Sequence, residues 1–313
     1  MQYYKVLNDK MRDSESRYKL GLNVKTSISD IKDYYFGIIF YKKENVPLWL
    51  EYGNKLAFIT IPETAKVCHE INESKADSIF IEKIIDLKDW CEWENENFCL
   101  EAVKKNEYSL VYVKNQTEKI CLEAVKQRGY ALQDVQNQTE EICLEAVKHD
   151  GYSLKFVKNQ TEKICLEAVK NLGFALDYVK NQTEKICLEA VRTCGLALKF
   201  VKNQTEEICF EAVKRDGYAL AYVKNQTEEI CLEAIKKEGS ALMYIGNQTN
   251  EICLEAVKQR GYALEYVKNQ TEEICLEAVK QNGLALQFVK NQTEEICFEA
   301  LKEDKDASRY IRN

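Results

Sequence analysis

NQTNEICLEAVKQRGYALEYVK, residues 247–268, is followed without a gap by NQTEEICLEAVKQNGLALQFVK, residues 269–290. This phrase decides the fold. Its cysteine recurs at Cys99, Cys121, Cys143, Cys165, Cys187, Cys209, Cys231, Cys253, Cys275 and Cys297, each one full phrase after the last. Self-similarity at a fixed period of this size is the mark of a solenoid. Ten units result, the first from Trp93 and the rest running end to end from Asn115, the last beginning at Asn291.

Within a unit, numbered 1–22 from the asparagine, Thr at position 3 is a good N-cap and the glutamates after it suit the positive end of a helix dipole. Ile, Cys, Leu, Ala and Val at 6, 7, 8, 10 and 11 make a wide apolar face at helical spacing. Gly at 15 reads as a left-handed residue closing the helix. The remaining Tyr-Ala-Leu-x-Tyr-Val-Lys is too short for a long partner and predicts a second, short helix, α or 3₁₀. One unit cannot bury its apolar face alone, so units must stack. At ~8–10 Å per packed helix layer, ten layers would extend on the order of 90 Å. The fold class expected is therefore mainly α: an α-solenoid over 93–313, with degenerate first and last units, behind a small α+β module over 1–92.

In the N-terminal module, Tyr34–Tyr41, Leu56–Ile61 and Ser78–Ile85 read as strands. Pro47–Tyr52 reads as a short helix, and Glu63–Ile71 as a second helix or a turn. Trp90 and Trp93 are placed to seal the first unit. The module is expected to cap the open end of the solenoid; targeting or recruitment is the sharper alternative.

The unit, with its turn as in Lys258-Gln259-Arg260-Gly261-Tyr262-Ala263-Leu264-Glu265-Tyr266, resembles the short helical repeats found in many copies in mimivirus-like giant viruses and some bacteria. Tyr3-Tyr4-Lys5-Val6-Leu7, Tyr18-Lys19-Leu20-Gly21-Leu22-Asn23 and Tyr52-Gly53-Asn54 resemble the module that begins giant-virus ankyrin and other repeat proteins. The resemblance implies a viral protein acting in an infected amoeba, and supplies no biochemical activity.

Few residues suit catalysis. The two histidines, His69 and His149, form no cluster, and Cys68-His69 are adjacent, so they would face apart. Ladder cysteines one layer apart are too distant for a disulfide, which needs Cα atoms ~4.4–6.8 Å apart. No C-x-x-C pair offers zinc ligands; the ladder reads as small core residues. Carboxylates such as Glu206, Glu207 and Glu211 recur in every unit and so mark a solvated face rather than one active site. Asn and Thr of the nine Asn-Gln-Thr triplets are expected to satisfy backbone groups at the turns, with an asparagine ladder along the stack. No catalytic residue, cofactor or metal site is expected.

A net charge of −7, with acidic excess in both segments, argues against nucleic acid as the partner. No apolar run approaches the ~20 residues of a membrane span. The start Met1-Gln-Tyr-Tyr-Lys-Val lacks a signal-peptide pattern, so the protein is expected in the cytoplasm of the host cell or in the virion rather than secreted. What remains is binding. Position 19 varies freely as Val111, Gln133, Lys155, Asp177, Lys199, Ala221, Met243, Glu265, Gln287 and Arg309. Core positions cannot change from Lys to Asp to Met, so these side chains, and the variable positions 13 and 14, should face solvent. Gln133, Lys155, Asp177, Lys199, Met243, Glu265 and Gln287 are the candidate partner-binding residues. The aromatics at 16 and 20 read as core between layers. The expected function is a non-catalytic scaffold for a host or viral protein. The alternative is a structural, self-assembling or virion-associated repeat protein.

Overall fold

A computed structural model of the chain describes residues 2–13, 16–25 and 38–312. The chain divides into two compact units, Met1–His149 and Asp150–Asn313.

The first unit opens with a four-stranded antiparallel sheet ordered β1-β4-β7-β2, from β1 (Tyr3–Leu7), β2 (Gly21–Val24), β4 (Lys55–Thr60) and β7 (Ser78–Asp86). A three-stranded sheet of β3 (Ile38–Phe40), β6 (Ser74–Ala76) and β5 (Val67–His69) lies beside it. Leu7, Phe40, Ile59, Ile79 and Ile81 form their shared core. The expected strands at 56–61 and 78–85 are present with slightly shifted ends, and the first survives as β3; residues 34–37 lie outside the described residues. Glu63–Ile71 holds a turn at 63–64, then β5 where a helix was the alternative: its Val67 and His69 pair with Ala76 and Ser74 across a tight hairpin. Lys43–Tyr52 is a kinked 3₁₀ helix.

Buried charge pins the loop after β1. The Lys5 ammonium, almost wholly buried, meets Asp13 at 2.8 Å and donates to Ile39 O at 2.9 Å. Asp13 also accepts from Tyr18 Oη at 2.7 Å. Burial pushes the Asp13 carboxyl up, but Lys5 and Tyr18 outweigh it and hold it at about 2.

Trp90 and Trp93 then close the first repeat, both buried and packed edge to face at 5.8 Å. Phe98 of the first α-helix packs on both rings, and Trp93 Nε1 donates to Leu87 O at 2.8 Å. Asn106 Nδ2 donates to Pro47 O at 2.9 Å, tying the kinked 3₁₀ helix to the first repeat.

From there the chain alternates a ten-residue α-helix with a six-residue 3₁₀ helix, from Glu96–Lys105 and Glu107–Tyr112 to Glu294–Glu303 and Lys305–Tyr310. Ile, Cys, Ala and Val of the α-helix, Ala and Leu of the short helix and the Val that follows it are buried in unit after unit. Leu at position 8 is only half-buried, at the outward flank of that face. Thr caps most α-helices by accepting from the N–H of the isoleucine three places on, as Thr183 does from Ile186 at 3.4 Å.

The glycine at position 15 plays another part than the sequence suggests. It has no positive φ; among described glycines only Gly21 does. The α-helix ends instead on an extended residue at position 14, such as Cys194 at φ −146°, ψ 112°. Glycine is required by a close approach: a Cβ on Gly195 would lie 2.5 Å from the Ala212 carbonyl of the next α-helix. Gly173, Gly217 and Gly283 meet the same obstacle at 2.5–2.7 Å.

Candidate functional site

Each repeat presents two distinct surfaces, one constant and one variable. The constant surface is built on glutamine. A 3₁₀ helix leaves its last carbonyls unpaired, and a half-buried carbonyl without a partner is costly. Gln182 Nε2 donates at 2.9 Å to Phe200 O, at the end of one short helix, and at 3.3 Å to Leu176 O of the short helix before, which also accepts from Val179 N. Its Oε1 accepts from Lys202 N at 3.0 Å and from the Cys187 thiol at 3.8 Å. Both donors and both lone pairs of the amide are thus used. Gln160, Gln248, Gln270 and Gln292 make the same four contacts. The expected asparagine ladder is therefore a glutamine ladder. The neighbouring asparagines, Asn115 to Asn291, are all exposed, because the turn aims position 2 inward and position 1 outward.

The cysteines complete this clamp. None is in a disulfide, and nine of the ten ladder thiols are buried, Cys297 being half-buried. Burial pushes Cys121 and Cys275 up to about 11, so these thiols stay protonated and donate. Cys99, whose unit has Glu94 in place of glutamine, donates to Trp93 O at 3.3 Å. Among the described residues no group of three His, Cys, Asp or Glu could hold a metal ion. Cys68 and His69 lie on β5, and His69 Nδ1 contacts Ser74 Oγ at 2.8 Å. Glu211 is paired with Arg192 at 2.8 Å.

Lysines finish the constant edge. Lys180, Lys202, Lys224 and Lys290 at position 22 each send Nζ to the main-chain oxygen of the equivalent lysine one repeat earlier, at 2.9–3.4 Å.

The variable surface is the row of short helices. In the second unit each packs against the next, from Gly151–Phe156 to Lys305–Tyr310. Lys155, Asp177, Lys199, Met243 and Glu265 all lie exposed on this row, with Gln287 half-buried. Gln133 is exposed on the short helix Gly129–Asp134 of the first unit. Lys155 Nζ sits over the Phe156 ring at 4.6 Å and Lys199 Nζ over Phe200 at 5.6 Å.

Positions 13 and 14 prove less free than position 19. Asn171 Oδ1 accepts from Gly151 N at 2.8 Å, and Asp150, Asp216 and Asn282 cap their short helices through the side chain.

The aromatics at 16 and 20 lie between layers, but no ring of either set is fully buried, contrary to the core reading. Rings at 16 meet the ring at 20 of the following repeat edge to face: Tyr152 with Tyr178 at 6.0 Å, Phe174 with Phe200 at 5.9 Å, Tyr218 with Tyr244 at 6.3 Å, Tyr262 with Phe288 at 5.8 Å. The short helix is too small to cover them, so they form a half-exposed aromatic floor from which the position-19 side chains rise. Sequence reasoning missed this floor as part of the candidate surface.

Among the described residues no helix is long and apolar enough to cross a membrane. No curated protein and no solved structure matches the chain. One family model does, five times in succession, at residues 95–138, 139–184, 183–227, 227–270 and 271–313, each match spanning about two repeats. These matches take in the whole repeat region, and the chain belongs to that family, described as Domain of unknown function (DUF4116).

Proposed function

We propose that this protein is a non-catalytic scaffold whose short-helix row binds a protein partner. The observation that carries the reading is the contrast within one repeat. Glutamine, cysteine, threonine and glycine recur where they hold layers together, while position 19 varies in charge and size on an exposed row. Exposed rings beside changing charges give a surface that can anchor and discriminate. The giant-virus resemblance supports a partner among host or viral proteins, in the cytoplasm of an infected cell or in the virion. The N-terminal module closes the first repeat and serves as its cap.

Affinity purification of the full chain from infected cells tests this, beside a chain carrying Lys155→Glu, Asp177→Lys and Lys199→Glu. The scaffold reading expects one stoichiometric protein retained by the first and lost by the second, with both equally folded. Recovery of only the chain itself or capsid components, unchanged by the reversals, would replace it with a structural, self-assembling role.

A further inference from the structure

We infer that the middle of the row takes a proline-rich segment in the polyproline II conformation, one turn of the segment per layer. The inference rests on the reading that the row binds a protein, and names the chemistry of what it binds.

Four exposed apolar side chains gather on two adjacent short helices, Gly217–Tyr222 and Gly239–Tyr244: Tyr218 and Tyr222 at 38%, Met243 at 49% and Tyr244 at 36%. The ring pairing explains part of this. Leu196 stands where a ring would meet Tyr222, so at Tyr222 the floor is more open than at Phe200, which Phe174 covers. Tyr218 and Tyr244 stay exposed although they meet each other edge to face. Position 19 is small or apolar in these layers, Ala221 and Met243, and charged on either side, Lys199 before and Glu265 after.

The geometry selects among peptide conformations. Packed helix layers repeat at ~8–10 Å. Polyproline II advances about 9 Å per turn of three residues, so every third residue returns to the row. A β-strand repeats its face at about 6.8 Å and falls out of step. It would also seek free backbone groups, which the glutamine clamp has already occupied. An α-helix returns its face about every 5.4 Å and likewise falls out of step with the layers. Polyproline II asks nothing of a partner's backbone; its own carbonyls can accept from the Tyr222 and Tyr244 hydroxyls, and its rings pack on aromatic faces. The flanking charges set a register: an acidic residue against Lys199, prolines at the third and sixth places after it, and a basic residue at the ninth against Glu265. Proline-rich segments have near-mirrored backbone recognition, so both chain directions fit the floor.

Fluorescence anisotropy on the full chain tests this with labelled decapeptides, glutamate at one end, arginine at the other and prolines between, in both directions. A glycine-serine decapeptide with the same end charges and a proline peptide with its charges brought closer together are the controls. At least one proline decapeptide should bind about tenfold or more tighter than either control. Tyr222→Ala with Met243→Asp should abolish the difference without changing the circular dichroism spectrum. Lys199→Glu should weaken binding, and a peptide with arginine in place of its glutamate should restore it. Equal binding of proline and glycine-serine peptides, or indifference to these substitutions, overturns the inference. If that happens while the Lys155, Asp177 and Lys199 reversals still release a captured protein, the row reading stands and only the polyproline partner falls; a helical partner then takes its place.

Discussion

Position 2 and position 19 of the repeat are both open to polar side chains, yet one is glutamine in nine units and the other rarely repeats. The difference lies in what each side chain must satisfy. Gln182 bridges two short helices through four contacts, so any change strands the Phe200 carbonyl and the Lys202 N–H. Lys199 rests on one ring and faces water, so only a partner outside the chain can constrain it. Residues held by the stack and residues open to a partner thus share a single repeat, and stability and binding should separate cleanly under mutation.

The largest loss is expected at the close glycines. Gly195→Ala drives a methyl to 2.5 Å from the Ala212 carbonyl and should cost about 1–3 kcal/mol by urea denaturation. Gly246→Ala, with nothing within 4 Å of its Cβ, should be neutral within about 0.5 kcal/mol. Equal costs at both would remove close approach as the reason for glycine.

Next comes the clamp. Gln182→Ala should cost about 1–2 kcal/mol, while its exposed neighbour Asn181→Ala should leave the midpoint unchanged. Thr183→Ala, which removes a helix cap, should cost about 1 kcal/mol. At the row, Lys199→Glu should shift stability by less than about 0.5 kcal/mol, so any binding loss there cannot be ascribed to unfolding.

Thiol chemistry sharpens the contrast further. Exposed Cys91 should react first with a thiol reagent under mildly alkaline conditions, and half-buried Cys68, Cys194 and Cys297 more slowly. The nine buried ladder cysteines should react only after denaturant is added, since burial shields them. Early modification of the ladder would mean that the layers open readily.

In the N-terminal module the effect shows only in acid. Asp13 has its folded pKa depressed to about 2, below an unfolded value near 3.9. Its ion pair therefore contributes fully above about pH 4, and the contribution is lost as pH falls from about 4 to about 2. A chain with Asp13→Asn should lack that part of the acid dependence.

Much of the repeat was legible because its period restates each signal in every unit. The cysteine spacing, the threonine caps and the apolar face of Ile, Ala and Val all mark the helix that forms. The errors came where one signal has two physical causes. Glycine after a helix serves either a left-handed turn or a close approach, and only the distance to Ala212 separates them. Asparagine and glutamine at positions 1 and 2 carry the same amide, and only the turn decides which points inward. In the N-terminal module, β1 is short and buries Lys5 among its apolar residues, so it carries no alternating strand pattern. β5 and β6 are very short and owe their existence to pairing with one another. The exposure of position 19 followed from its variation. The aromatic floor beneath it did not, because rings that recur in most units resemble core until the short helix proves too small to cover them.

Site-specific photo-crosslinking in infected cells tests the division between the two surfaces most directly. A photoreactive residue would be placed singly at Met243 on the row and at Asn225 on the constant edge of the full chain. The account predicts one adduct of discrete mass from Met243 and none from Asn225. Adducts from Asn225 alone, or the same ladder of self-adducts from both positions, would contradict it.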